Sequence, residues 1–203
     1  KMHPGTPWHL VGAAAEQVAK DAGFLPISNL CGHKMERWSL HDGVSIPMYA
    51  CGANNPGFKG SVEKGGVYAV EPFNTTGKSG LVENVNPHNS SNILRVTGNV
   101  NIRKALAKKK LKPLGARLAH YIEERYSTLP FAERWAFPLL EKPFPDEDEE
   151  SLKRKWGQLV KKLTSIRFLE VYSALRDQDG GNVGQFEHTV YVAEGGPEIL
   201  SVS

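Results

Sequence analysis

At 203 residues, 40% of them apolar and 23% charged, the chain is long enough to bury a full-sized core as one domain, or as one domain with a subdomain, and its composition is that of an ordinary soluble globular protein. No apolar run reaches the roughly 18 residues a membrane helix needs, no secretory leader pattern is present, and Cys31 and Cys51 are too few for a disulfide framework, which implies reduced thiols in a cytoplasm without membrane contact. The net charge of +3 divides unevenly: residues 99–165 hold 15 Lys/Arg against 9 Asp/Glu and the remainder 10 against 13, a pattern that fits nucleic-acid contact or, the reading favoured here, a solvated helical face.

The chain opens on Lys1, which reads as a processed start or as a segment of something longer. Thr6-Pro7 has the form of a helix cap followed by proline at the first helical position, and Leu10, Val11, Ala14, Val18 and Ala22 then recur at helical spacing up to a stop at Gly23. Short β-rich runs follow around 24–30, 44–48, 66–73 and 92–97, separated by Gly, Asn, Pro and Ser. The period then changes, and 101–109, 114–126, 130–137 and 152–163 read as helices. The break at Pro143–Glu150 places an acidic run where the last helix begins and its dipole favours negative charge. Strands return at 168–172, 185–193 and 198–202. The whole is an α+β body with a helical insert: 1–98 forms the first part of the body, 99–165 the insert, and 166–203 the final strands.

Three residues stand out as candidate metal ligands: His33 after Gly32, Glu71 in Val67–Phe73, and Glu187 in Gln185–Thr189. One imidazole and two carboxylates suit a hard divalent metal open to water. Each also has a plainer reading. A carboxylate on an apolar strand is equally a partner for an arginine or an edge residue, and a histidine after glycine is more often a turn or packing residue. Separations of 38 and 116 residues match no short metal-binding motif.

The segments that carry these residues resemble, in order, those of the type II methionine aminopeptidases, within the pita-bread group of metallopeptidases. They are Asn29–Gly43 with its Gly-His and Leu-His-x-Gly elements, Gly66–Gly77 with Glu71-Pro72-Phe73, the insert phrase Leu129–Trp135, and Gln185-Phe186-Glu187-His188-Thr189. The resemblance implies a pita-bread C-terminal half with a winged-helix-like insert. It implies two divalent metal ions (Co, Mn, Fe, Zn or Ni), with His33, Glu71 and Glu187 as three of five ligands. The other two are aspartates of an N-terminal half, the implied partner. It also gives Glu71 a role as proton shuttle, His41 a hydrogen bond to the oxyanion, and Leu40, Phe73, His88 and Tyr172 a methionine pocket. His88 matches no flanking residues and reads more readily as a surface histidine. The substrates implied are nascent peptides, with the ribosome as a further partner. The rival expectation is a non-catalytic relative that binds ribosome or RNA through its basic insert.

Overall fold

The computed structural model describes residues 1–85, 92–97, 101–107, 111–141 and 144–201. The chain divides into two compact units, Lys1–Val85 with Leu175–Ser203, and Asn86–Ala174.

The first unit begins with helix α1, Trp8–Asp21. It starts one residue later than the sequence suggests, because Pro7 is extended (φ −61°, ψ 142°) and bridges to Ser61 instead of opening the helix, and no side chain caps it. Its end is as expected: Gly23 takes φ +81°, its N–H donates to the Lys20 carbonyl, and the Phe24 N–H donates to that of Ala19. The buried face is not the predicted stripe. Trp8, Val11, Gly12 and Ala19 are buried, whereas Leu10 and Val18 face solvent. Gly12 sets the approach, since a Cβ there would lie 2.3 Å from the Tyr49 carbonyl oxygen.

An antiparallel five-stranded sheet carries the core of this unit. Its order is β13 (Gly196–Ile199), β12 (His188–Ala193), β4 (Val67–Val70), β2 (Cys31–Met35) and β3 (Ser45–Pro47). Trp8 meets Tyr68 edge to face at 5.3 Å, over Ile46, Met48, Val190 and Val192. A three-stranded sheet joins β1 (Leu25–Pro26), β5 (Phe73–Thr75) and β11 (Val183–Gln185), and β10 (Leu175–Asp177) pairs with β6 (Val82–Asn84). Strand β2 was not foreseen, because Cys-Gly-His-Lys-Met lacks the β-branched residues that mark strands.

The second unit packs α2 (Ile102–Ala107), α3 (Pro113–Tyr126), α4 (Glu133–Ala136), a 3-10 turn (Phe137–Leu140) and α5 (Glu149–Ser165) with a sheet of β8 (Phe131–Ala132), β7 (Ile93–Val96) and β9 (Leu169–Val171). The expected helix 130–137 therefore begins as a strand, because Phe131 and Ala132 pair with Leu94 and Ile93. Trp156, Leu163, Phe168, Ile122 and Leu140 form the core. The Asp148 carboxylate caps α5 by accepting from the Ser151 N–H at 2.7 Å. Among the described residues, no helix is long and apolar enough to cross a membrane.

Candidate active site

Two chain crossings build the site. Glu71 lies where the chain leaves β4 of the five-stranded sheet and enters β5 of the three-stranded one, and Glu187 lies where it returns from β11 to β12. The crossings run side by side: His188 pairs with Val70, Gln185 with Phe73, and the Phe186 N–H donates to the Pro72 carbonyl at 3.2 Å. Backbone register alone therefore brings together two glutamates 116 positions apart.

His33 comes from β2, registered with Ala69 of β4. Gly32 lies inside β2, and a Cβ there would sit 2.4 Å from the Ala69 carbonyl oxygen and 2.8 Å from the Met48 Cε. The glycine lets β2 and β4 close up so that the imidazole reaches the carboxylate. His33 is buried, its Nε2 lies 3.1 Å from the Glu71 Oε1, and its Nδ1 lies 3.4 Å from the Lys34 carbonyl oxygen. A proton on Nδ1 satisfies that carbonyl and leaves Nε2 as the nitrogen facing the carboxylates. Burial alone would lower the pKa of His33. The hydrogen bond and charge of Glu71 outweigh it, and the pKa is raised.

Glu187 differs from its expected setting on a half-buried strand. It is an exposed residue in the gap between strands. Its carboxyl pKa is nonetheless raised, first by partial loss of water and second by the negative charge of Glu71, with His33 acting in the opposite sense. The side-chain Nε2 of Gln185 donates to the Glu71 Oε2 at 3.1 Å and to the Glu187 Oε2 at 3.4 Å. Sequence reasoning passed over Gln185. The available signal was its position two residues before Glu187.

The exposed His41 joins the cluster, its ring centroid 4.3 Å from that of His33 at 62°. Leu40 is half-buried beside it in sequence, and Phe73 is half-buried on β5 opposite Gln185. Tyr172 belongs to the second unit, where the Arg95 guanidinium lies 5.9 Å from its ring centroid. His88 lies outside the described residues.

Nearby aspartates serve structure. The buried Asp177 accepts from the Thr75 hydroxyl at 2.7 Å and from the N–H groups of Asp179 and Gly181, and Asp179 accepts from those of Lys78 and Ser79. Together they tie the 76–81 loop to the 177–182 loop.

Among the described residues, no group of three His, Cys, Asp or Glu side chains is arranged to enclose a metal ion. His33 and Glu71 touch directly, whereas Glu187 joins them through Gln185. The donor chemistry nevertheless fits a divalent cation: one imidazole nitrogen and two carboxylates are gathered. The chain offers an open, partial donor set.

Residues 1–125 match the model of metallopeptidase family M24. The chain is 37% identical over 192 residues to a methionine aminopeptidase of Thermococcus kodakarensis, covering 94% of this chain and 56% of that protein. It is 33% identical over 193 residues to a methionine aminopeptidase of Methanocaldococcus jannaschii, covering 94% and 54%. The chain thus spans about half the length of the curated relatives it matches. Among solved structures, that of a thermophilic Arx1 shares the fold with a TM-score of 0.67 at 20% identity, over 96% of this chain and 45% of that one.

Proposed function

We propose that this chain, which belongs to metallopeptidase family M24, supplies His33, Glu71 and Glu187 to a dinuclear methionine aminopeptidase that removes initiator methionine from nascent proteins in the cytoplasm. The observation that carries this reading is the gathering of one imidazole and two carboxylates at paired strand crossings, in a chain similar to curated methionine aminopeptidases. Two further aspartate ligands are required, and on this reading they come from an N-terminal half, either of the same parent chain or of a separate subunit.

When bound, the divalent ions supply Lewis-acid polarisation of the scissile carbonyl and acidify water. The chain's own residues do the rest. Glu71 accepts a proton from the attacking water and passes it to the leaving amine nitrogen. His41 donates a hydrogen bond to the carbonyl oxygen as negative charge builds there. Leu40 and Phe73 line the methionine side-chain pocket.

Hydrolysis of a Met-Ala-Ser peptide tests the reading, with Mn²⁺ uptake measured in parallel. Both are run on this chain alone and on its mixture with a polypeptide that carries the two aspartates. Uptake of two metals with turnover in the mixture alone is the expected result. Neither uptake nor turnover in either sample overturns it.

A second reading, a non-catalytic relative that binds ribosome or RNA, draws on the exposed lysines of the second unit. Pairs between Glu149 and Lys153, Glu150 and Arg154, and Glu147 and Lys155 neutralise the first half of α5. Lys104, Lys112, Lys161 and Lys162 are exposed and stand outside those pairs. RNA affinity that falls steeply with salt, without peptide hydrolysis, would favour this reading.

A further inference from the structure

We infer that Gln185 is a positioning residue whose side-chain amide clamps Glu71 and Glu187 together, one N–H to each carboxylate, so that their remaining oxygens and the His33 imidazole are presented to a cation. The inference rests on the metal-site reading above and adds to it a residue outside the ligand set.

Three observations converge on the clamp. Gln185 has a fixed backbone, because it is registered opposite Phe73 in the β5–β11 pair, two residues beyond Glu71. It precedes Glu187 by two residues at the end of β11, and its amide nitrogen reaches that carboxylate directly, 3.4 Å from the Oε2. Its amide nitrogen has two hydrogens, and its two acceptors are oxygens from different carboxylates. The orientation of the amide follows from chemistry: ionised carboxylates only accept, so the nitrogen must face them. The division of labour within Glu71 is also explicit, with Oε2 accepting from Gln185 and Oε1 facing the His33 Nε2.

Without such a donor the two like charges would spread apart, and a cation would have to draw them back on binding. With it they are held close in advance. Partners that orient metal-binding carboxylates in this way are worth on the order of ten- to a hundred-fold in metal affinity.

The test uses the 203-residue chain, alone for the amide signals and mixed with the polypeptide that carries the two aspartates for metal binding. In its metal-free form, the side-chain amide signals of Gln185, assigned as the pair that Gln185→Met removes, are expected downfield of the other glutamine amides. Glu71→Gln and Glu187→Gln are each expected to move them upfield. Signals that stay put in both variants overturn the clamp, whether or not the protein takes up metal. Calorimetric titration with Mn²⁺ then reads the consequence. Gln185→Met is expected to weaken binding on the order of ten- to a hundred-fold with the metal-free melting temperature unchanged. Unaltered affinity overturns the inference, as does a loss of affinity accompanied by a lower melting temperature, which would make Gln185 a packing residue of β11. A mixture that takes up no Mn²⁺, from a chain whose Gln185 signals respond to both glutamate variants, supports the clamp and sinks the metal reading instead.

Discussion

His33 and Glu71 meet across adjacent antiparallel strands, the Nε2 of one 3.1 Å from the Oε1 of the other. The contact follows from register. His33 is opposite Ala69, and Glu71 lies two residues further along the same strand direction. Because burial by itself lowers the pKa of His33 and Glu71 is what raises it, Glu71→Gln is expected to bring that pKa down. A histidine proton titration by NMR reads this directly, and an unmoved midpoint counts against the pairing. In an assembled enzyme the same variant should lower peptide turnover by about a hundred-fold or more, since the proton acceptor is lost while its volume is kept.

Gly32→Ala should damage the site without touching any ligand. The added methyl would sit 2.4 Å from the Ala69 carbonyl oxygen, inside the central strand pair. Overpacking of this kind costs about 1–3 kcal/mol, which urea unfolding would register. The strands that must separate carry His33 and the approach to Glu71, so Mn²⁺ affinity should fall with stability. A variant of native stability would mean that β2 and β4 have slack the structure does not reveal.

How much of this was legible in the sequence depends on whether the signal was local. The Gly23 stop and the acidic start of α5 are local rules, and both appear as expected. Thr6 failed as a cap because Pro7 is drawn into a bridge with Ser61, a partner 54 positions away. The stripe read on α1 failed for a related reason: Leu10 and Val18 have helical spacing, but the sheet beneath selects Trp8, Gly12 and Ala19. The ligand candidates were legible one at a time, as residue types in phrases of recognisable kind. Their meeting was implied only by the family resemblance and follows from no local rule, because it is made by the strand crossings at Glu71-Pro72 and Phe186-Glu187. Gln185 was invisible for the same reason, since an amide acquires its meaning here from two carboxylates placed by tertiary structure.

In the second unit, Asp148→Ala removes the side chain that caps the start of α5, and the Ser151 N–H loses that acceptor. The expected cost is about 1 kcal/mol. Urea denaturation with a helical circular-dichroism readout measures it, and Asp148→Asn or Asp148→Ser, each of which keeps an oxygen acceptor, should recover most of the loss.

Asp177 makes stability depend on pH in a window that can be stated in advance. The Gly181 N–H and the Thr75 hydroxyl, followed by the Asp179 N–H, hold its carboxyl below the ordinary range. The carboxylate packs closely on Gly77, where a Cβ would lie 2.4 Å from its Oδ1. In the unfolded chain an aspartate titrates near about 3.9. Above that pH the carboxylate is ionised in both states, and its full stabilisation is present. As pH falls below it, the unfolded chain takes up the proton first, and the contribution fades until the folded pKa is passed. Asp177→Asn should therefore be less stable than the natural protein near pH 7. The gap should narrow as the pH falls from about 4 toward 2. Paired urea titrations across that range measure it, and a gap that stays constant would mean that packing at the junction of the 76–81 and 177–182 loops matters there and the charge does not.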